Sequence, residues 1–233
     1  MTPVSPSQAT AASRMADVRR RIGDAAERAG RSPHAVTVVA VSKSFDADAV
    51  EAVRAGGQVD FGESRAQELE RKAAEVGTGV RWHFVGRLQR NKVKSVVGLA
   101  ALVHSVDRER LAVAIAEHAR AIGRVQPVLL QVNVGDDPAK AGVAPAEVAS
   151  ALARIRDLDG LVCQGLMTMP PADVDPRPLF AGLREQRDEL RERFPEVQHL
   201  SMGMTADFEV AVEEGATIVR LGEAVFGPRP ASA

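Results

Sequence analysis

The stretch VTVVAVSKSF, residues 36–45, runs from strand-forming residues directly into a lysine, Lys43. Lysine is seldom buried without a partner, because its ammonium group loses its hydration there. Similar short apolar runs recur along the chain and alternate with runs that have the spacing of amphipathic helices, which predicts parallel strands joined by crossover helices. The predicted strands are VTVVAVSK (36–43), QVDFGES (58–64), RWHFVGR (81–87), ALVHSVD (101–107), PVLLQVNVG (127–135), LVCQGLMTM (161–169), HLSMGM (199–204) and TIVRLG (217–222).

Eight strand–helix units in 233 residues predict an α/β fold, a single closed (β/α)8 barrel of the TIM type. A doubly wound open sheet is the alternative, because its parallel strands are also near-continuous apolar runs. An extra N-terminal helix precedes the barrel, with Met15, Val18 and Ile22 at helical spacing. We expect residues 1–12, rich in Pro, Ser, Ala and Thr, to form a disordered tail and residues 13–230 to form the barrel domain.

The composition excludes several classes of protein. The net charge of -1 gives no general attraction to nucleic acid or to an anionic membrane, so we expect neither partner. The single cysteine, Cys163, cannot form an internal disulfide and is predicted to be buried. No signal-peptide pattern and no apolar run of bilayer length are present, so we expect a cytoplasmic protein. Five scattered histidines offer no ligand pair at a diagnostic spacing, and we expect no metal.

Polar residues at the carboxyl ends of the predicted strands are the first candidates for a site. In barrels of this class, the functional groups lie at that rim. Lys43 ends the first predicted strand, so its charge belongs to the rim rather than to the core. The other candidates at the rim are Ser64, His83, Asn133, Met167, Ser201 and Arg220.

The loops after the last two predicted strands have the features of a phosphate site. Gly203 allows close backbone approach, and Thr205 is placed to cap the next helix, with Asp207 in its first turn. Gly222 opens a short final helix, EAVFG. Helix starts offer free N–H groups to anions, and these barrels commonly bind phosphate after strands seven and eight. The alternative is that both glycines are ordinary turn residues.

A lysine beside a phosphate site indicates an imine with a phosphorylated aldehyde. Pyridoxal 5'-phosphate (PLP) and a phosphorylated sugar both satisfy this combination. Arg220 favours PLP, because it shares the inward side of its strand with Gly222 and a guanidinium there can donate to a pyridine nitrogen. The alternative for Arg220 is an ion pair with Glu223 or Glu63.

Several segments of the chain, taken together, are highly specific for one protein family: VAVSK, FGES with QE after it, WHFVGRLQRNK, HSVDR, QVNVGDDPAKAG, GLMTM, LSMGMTADFEVAVEEGATIVRLG and FG. From about residue 15 to about residue 228, the chain resembles the pyridoxal phosphate homeostasis protein family. The resemblance implies one alanine-racemase-like barrel that binds and buffers PLP or passes it to PLP-dependent apoenzymes. It implies no established catalytic turnover.

The resemblance also implies roles for particular residues. Lys43 would hold PLP as an imine, and Arg220 would face the pyridine nitrogen. The family usually has FGEN followed by an aromatic residue, whereas Ser64 and Arg65 follow Glu63 here, and Ser64 can replace the hydrogen bond of the asparagine. The family's SMGMS is SMGMT here, which keeps the hydroxyl. The residues implied around the phosphate are Ser201, Gly203, Met204, Thr205 and the backbone near Gly222.

A cofactor carrier is favoured over an enzyme. An alanine racemase needs a second base, a tyrosine from a separate β domain of its partner, and this chain has no tyrosine and no room for that domain. We therefore expect weak PLP-dependent side activity at most. We also expect a monomer, because the racemase dimer contact is missing. The alternative is a lysine-imine enzyme, either an amino-acid racemase or decarboxylase or a phosphosugar aldolase.

Three further features have two interpretations each. His83 is the candidate for a substitute acid or base, or it packs beside Trp82. Lys140 either pairs with Asp136 or Asp137 or is a second docking point for the cofactor phosphate. Four methionines at strand ends either cover one face of a flat ring or fill the barrel: Met167, Met169, Met202 and Met204.

Overall fold

In the computed structural model, which describes residues 6–135, 137 and 140–228, eight parallel strands form a closed barrel in chain order. The ring closes between the first and last strands, from Thr37 opposite Ile218 to Ala40 opposite Leu221. The predicted barrel is therefore confirmed, and the open sheet is excluded. The strands are β1 (Thr37–Val41), β2 (Asp60–Glu63), β3 (Arg81–Phe84), β4 (Ala100–Val106), β5 (Gln126–Gln131), β6 (Leu161–Met167), β7 (His199–Ser201) and β8 (Ile218–Leu221).

Each strand ends earlier than predicted, so several residues predicted at strand ends lie in the loops that follow. Lys43 and Ser64, for example, come after the last residues of β1 and β2. Short 3-10 segments at 33–35, 90–92 and 145–147 add to the connections. The described helices are α1 (Pro6–Arg28), α2 (Ala47–Arg54), α3 (Ala66–Val76), α4 (Val93–Val96), α5 (Glu109–Ala121), α6 (Val148–Arg156), α7 (Pro176–Leu190), α8 (Phe208–Glu213) and α9 (Glu223–Phe226).

The N-terminal helix α1 begins at Pro6, inside the segment expected to be a tail. Residues 1–5 lie outside the described residues, whereas 6–12 form the first turns of α1. The alanines of this segment favour helix, and proline is well tolerated at the first helical position. Buried Met15 and Val18 help to seat α1, which contacts α2, α8 and α9. Neither α1 nor any other described helix is long and apolar enough to cross a membrane.

Two apolar clusters pack against the strands, one on each side of the sheet. The larger one lies between the strands and the helices, whereas a small cluster fills the barrel interior. The interior also contains buried polar side chains, among them His83, His104 and Arg220. Burying such groups is costly unless each is hydrogen-bonded, so their partners define how the site is held. The buried members of the interior cluster are Val39, Leu102, Leu129, Met167 and Ile218.

Candidate functional site

A cavity of about 420 Å³ opens at the carboxyl ends of the strands, with walls from the β1, β2, β7 and β8 segments. Its volume lies within the range of roughly 300–1,000 Å³ that is typical of small-molecule sites. Most of the residues predicted to bind a cofactor therefore lie around one cavity. Those that line it are Lys43, Ser64, Met204, Thr205, Arg220 and Gly222.

The loop that carries Lys43 follows β1 and packs against the C-terminal helix α9. Lys43 is half-buried in the cavity wall. Ser44 has a φ of 71°, a left-handed conformation that is uncommon for a residue other than glycine and turns the backbone sharply. Phe45 then stacks on Phe226 of α9, with ring centroids 5.0 Å apart. The position of Lys43 thus depends on packing against the C-terminal helix.

Beneath Lys43 lies a buried ion pair, Lys72 with Glu63, whose side chains are both fully inaccessible to solvent. Lys72 Nζ donates to Glu63 Oε1 and, at 2.7 Å, to the carbonyl oxygen of Ser42. The Ser42 hydroxyl donates to the same carboxylate at 2.6 Å. This buried pair ties the end of β1 to the end of β2, the two places from which Lys43 and Ser64 project.

Sequence reasoning missed this pair, although a signal for it exists. Lys72 lies between Leu69 and Val76 on the buried face of α3, three and four positions away from them. A lysine on such a face needs a buried partner, because an unpaired charge there is expensive. Glu63, which sequence reasoning offered as a partner for Arg220, bonds Lys72 instead.

Ser64 presents an unsatisfied polar group beside the cavity. Its hydroxyl oxygen is buried and has no hydrogen-bond partner among the described residues. Ser64 also contributes to the cavity wall. A buried hydroxyl without a partner costs about 1–3 kcal/mol, so it is suited to bonding a ligand.

Arg220 of β8 reaches the cavity from the barrel interior. Its Nη1 donates to the Ser201 hydroxyl at 2.7 Å, and its Nη2 donates to the carbonyl oxygen of Thr168 at 2.9 Å. Burial lowers the pKa of Arg220 to about 10, which still leaves it a cation at neutral pH. The alternative ion pair with Glu63 or Glu223 is not formed within the part of the chain that the structure describes.

The loop after β7 depends on Gly203, whose φ is 93°. A Cβ there would lie 2.6 Å from the Ala211 Cβ and 3.0 Å from the Phe208 Cα, so no larger residue fits without a shift. No hydrogen bond among the described residues uses the backbone N–H groups of Thr205 and Ala206. Both groups are therefore available to an anion at the cavity wall.

The capping prediction for this loop was wrong. The Thr205 hydroxyl accepts a hydrogen bond from Ala224 N–H at 3.4 Å, which places it at the start of α9 rather than α8. Asp207 precedes α8, and its Oδ1 accepts from Met204 N–H at 2.6 Å. The reason is a turn over residues 205–207, which delays the start of α8 to Phe208.

Two predicted site residues are used elsewhere. The Asn133 side-chain amide donates to the carbonyl oxygen of Asp137 at 2.9 Å and thus closes the loop after β5. Met167 is fully buried in the interior cluster, as Met202 is in the larger core. Met169 and Met204 line the cavity, so the barrel-filling interpretation does not describe this pair, and their covering of a flat ring stays a prediction.

Lys140 lies at the same rim. Its Nζ donates to the carbonyl oxygen of Met169, a cavity residue, at 3.3 Å. Asp136, one of its suggested partners, lies outside the described residues. A second docking point for phosphate at Lys140 stays a prediction.

His83 is not at the cavity rim, where sequence reasoning placed it. It points into the barrel, with Nε2 3.0 Å from Asp60 Oδ1 and Nδ1 2.9 Å from His104 Nε2. Trp82 packs instead against Phe61, with ring centroids 6.0 Å apart. His83 is therefore packed, as one interpretation expected, but it lies inside the barrel rather than against Trp82, because the chain alternates sides along β3.

Two further predictions from the sequence concern Cys163 and metal ions. Cys163 is buried as predicted, and burial raises the pKa of its thiol to about 11. The residues that the structure describes contain no group of three or more His, Cys, Asp or Glu side chains that could hold a metal ion.

Residues 14–230, which contain the whole barrel, match the family model described as alanine racemase, N-terminal domain. The chain is therefore a barrel protein of that class. It is 43% identical over 224 residues to the pyridoxal phosphate homeostasis protein of Aquifex aeolicus, covering 94% of this chain and 98% of the relative. The chain belongs to the pyridoxal phosphate homeostasis protein family.

Solved structures show the same relationship. PipY of Synechococcus elongatus PCC7942, solved with PLP bound, has a TM-score of 0.82 at 35% identity, covering 93% of this chain and 100% of that chain. An alanine racemase of Clostridium difficile 630 in complex with cycloserine has a TM-score of 0.69 at 15% identity, covering 92% of this chain and 60% of the racemase. The second likeness shows the shared fold alone.

Proposed function

We propose that this protein binds PLP as an imine on Lys43 and takes part in PLP homeostasis by buffering or delivering the cofactor. The observation that carries the proposal is the single cavity that unites Lys43, Arg220 and the Gly203 loop. The proposal is supported by the PipY structure, whose 35% identical chain was solved with PLP bound. Bound PLP supplies an aldehyde, which condenses with a lysine amine and releases one water molecule.

The residues present fit this group. The Ser64 hydroxyl is a buried donor and acceptor that has no partner among the described residues, so a ligand can supply its hydrogen bond. The unbonded backbone N–H groups of Thr205 and Ala206 can donate to a phosphate. Because Gly203 has no Cβ, the loop backbone can lie close to Ala211 and Phe208. Arg220, still charged, can donate to a ring nitrogen and keep that nitrogen unprotonated.

The lining of the cavity favours a carrier over an enzyme. Apart from Lys43, the ionisable residues among those that line it are Arg220 and Glu223. Arginine does not exchange protons at neutral pH, so Glu223 is the only second acid or base in the described lining. We therefore propose that turnover is absent or weak, and that Glu223 is responsible for any side activity on amino acids.

Three expectations extend the proposal beyond the cavity. We propose that the recipients of delivered PLP are PLP-dependent apoenzymes, in keeping with a homeostasis role. We also propose that the protein is a monomer, which sedimentation can test. The cytoplasmic location expected from the sequence stays a prediction.

The experiment that tests the proposal is borohydride reduction followed by peptide mass mapping. Reduction converts an imine into a stable secondary amine, so we expect one pyridoxyl group, attached to Lys43. Lys43→Arg keeps the positive charge but cannot form the imine, and we expect it to be colourless and unlabelled. Lys94→Arg, at an exposed lysine of α4, is the matched control and should label like the wild type.

The proposal fails if the protein stays colourless with added PLP, or if the pyridoxyl group is attached to another lysine. A panel of amino acids then separates carrier from enzyme. Robust turnover of alanine enantiomers by the purified protein would refute the carrier function, and loss of that turnover in Glu223→Gln would identify the base.

A further inference from the structure

Inside the barrel, five side chains from five different strands form one continuous chain of hydrogen bonds. Arg220 Nη1 donates to Ser201 Oγ at 2.7 Å, and Ser201 Oγ lies 2.8 Å from His104 Nδ1. His104 Nε2 lies 2.9 Å from His83 Nδ1, and His83 Nε2 lies 3.0 Å from Asp60 Oδ1. None of the five residues is more than 8% exposed. We refer to this set as the interior chain.

The interior chain runs the length of the barrel. Arg220 faces the cavity at the carboxyl ends of the strands. Asp60 is the first residue of β2 and lines a separate cavity of about 500 Å³ at the opposite mouth, together with Thr37 and Arg81. The interior chain therefore connects the proposed cofactor site to the other end of the molecule.

With both imidazoles neutral, one arrangement of protons satisfies every member. A guanidinium only donates, so the Ser201 oxygen accepts from Arg220 and its hydrogen is free for His104 Nδ1. His104 then carries its proton on Nε2 and donates to His83 Nδ1. His83 likewise carries its proton on Nε2 and donates to Asp60. The Ser201 hydroxyl, predicted to contact phosphate, has its one hydrogen directed to His104 in this arrangement.

The interior chain has a cation, Arg220, at one end and the Asp60 carboxylate, paired with Arg81, at the other. Arg81 donates to both oxygens of Asp60, at 2.8 and 2.7 Å. Burial raises the pKa of Asp60, but hydrogen bonds from His83 and Arg81 outweigh it and lower that pKa below its ordinary value. Burial, and then the charges of His83, Arg220 and His199, lower the pKa of His104. A proton on either ring would add a third cation to a region where two cations, Arg81 and Arg220, already face the one carboxylate of the interior chain, Asp60.

We propose that His83 and His104 are positioning residues that act through Ser201 to hold the Arg220 guanidinium in one orientation and link it to the Asp60 carboxylate. A carboxylate in direct contact with Arg220 would compete with a ligand for its N–H groups. Neutral histidines instead connect Arg220 to the Asp60 carboxylate through hydrogen bonds. The N–H groups of Arg220 that bond neither Ser201 nor Thr168 then stay available to a ligand in the cavity. The effect on a cofactor rests on the proposed function, whereas the proton arrangement does not.

The first experiment uses the protein without cofactor. Long-range 15N–1H NMR at pH 7.5, with assignments from His83→Gln and His104→Gln, reports which ring nitrogen of each histidine carries the proton. We expect both residues to be neutral with the proton on Nε2. A proton on Nδ1 of either ring, or a doubly protonated His83, would overturn the proposal whether or not PLP binds.

The second experiment measures the cofactor-loaded protein. Asp60→Asn removes the charge at the far mouth, and His104→Leu breaks the interior chain in its middle. We expect both to keep the pyridoxyl label on Lys43 but to lower the midpoint of the pH titration of the yellow absorbance by about 0.5–1 unit. The direction follows from the loss of the counter-charge of Arg220, because a cation that is less neutralised disfavours a nearby protonated imine more strongly.

His118→Gln, on α5 and outside the interior chain, is the control and should leave the midpoint unchanged. If His104→Leu does not fold, Asp60→Asn decides the matter alone. A folded Asp60→Asn protein with the wild-type midpoint and spectrum would show that the histidines are only structural. A wild-type protein without label on Lys43 would refute the proposed function, and the NMR result would still stand.

Discussion

The two sides of the cavity are held by different kinds of interaction. On the lysine side, two opposite charges are buried in direct contact, Lys72 against Glu63. On the arginine side, Arg220 contacts uncharged groups, the Ser201 hydroxyl and the Thr168 carbonyl. Its carboxylate in the interior chain, Asp60, lies beyond two imidazoles.

The two kinds of interaction differ in how much hydrogen-bonding capacity they leave for a ligand. A buried ion pair fixes the ends of β1 and β2 but has no capacity left for a ligand, and losing either partner is costly. A neutral relay spreads the stabilisation of a cation over several groups and keeps part of its surface free. The lysine side thus depends on charge balance, and the arginine side depends on proton placement. Four substitutions test this difference.

The largest effect is expected for Lys72→Met, which leaves the Glu63 carboxylate buried without its partner. The free energy of unfolding should fall by roughly 3–5 kcal/mol, as measured by urea denaturation at pH 7. Adding Glu63→Gln should restore most of this loss, because no charge is then left unpaired. Lys94→Met, at an exposed lysine, is the control. A loss below about 1 kcal/mol would contradict a charged, fully desolvated pair.

Gly203→Ala disturbs the arginine side through the backbone. Its Cβ would lie 2.6 Å from that of Ala211 at a φ of 93°, so we expect a loss of about 1–3 kcal/mol in stability and weaker PLP binding. Gly182→Ala in α7 has no atom within 4 Å of the new Cβ and should stabilise the protein by about 0.5–1 kcal/mol. Equal behaviour of the two variants in thermal melts and PLP titrations would disprove the close approach at Gly203.

The pH dependence of stability tests the neutral relay. The pKa of His104 is lowered in the folded protein, so the unfolded chain binds the proton first as pH falls below about 6.5. Stability should therefore decrease from about pH 7 to about pH 5, by up to about 1.4 kcal/mol per unit from this residue. His104→Gln should flatten the profile, and His34→Gln, at an exposed histidine, should not. Identical slopes for all three proteins would exclude a buried neutral His104.

The smallest effect is expected for Ser64→Ala on the lysine side. The serine hydroxyl has no partner among the described residues, so its removal should leave the stability of the cofactor-free protein unchanged or raise it by up to about 1 kcal/mol. The dissociation constant for PLP should rise roughly 2- to 10-fold, as expected for one lost hydrogen bond. A clear loss of stability would mean that the hydroxyl already has a partner without ligand.

The barrel and the residues around Lys43 were predictable from the sequence, whereas the buried ion pair and the interior hydrogen bonds that hold them were not. Buried parallel strands are near-continuous apolar runs, so the strand–helix alternation and the rim position of Lys43 follow from the sequence. The hydrogen bond between His104 and Ser201 joins residues 97 positions apart, and no local pattern indicates such a contact. Thr205 was assigned to the wrong helix for a similar reason, because its partner Ala224 lies beyond β8.

The pairing of β1 with β8 has a consequence for biosynthesis. Lys43 leaves the ribosome long before Arg220 is made, and until then the outer edge of β1 has no strand to pair with. The ring and the cavity are completed together, by contacts between distant parts of the chain that form slowly. A nascent chain that stops before Ile218 therefore has its lysine but neither a closed ring nor Arg220 beside it.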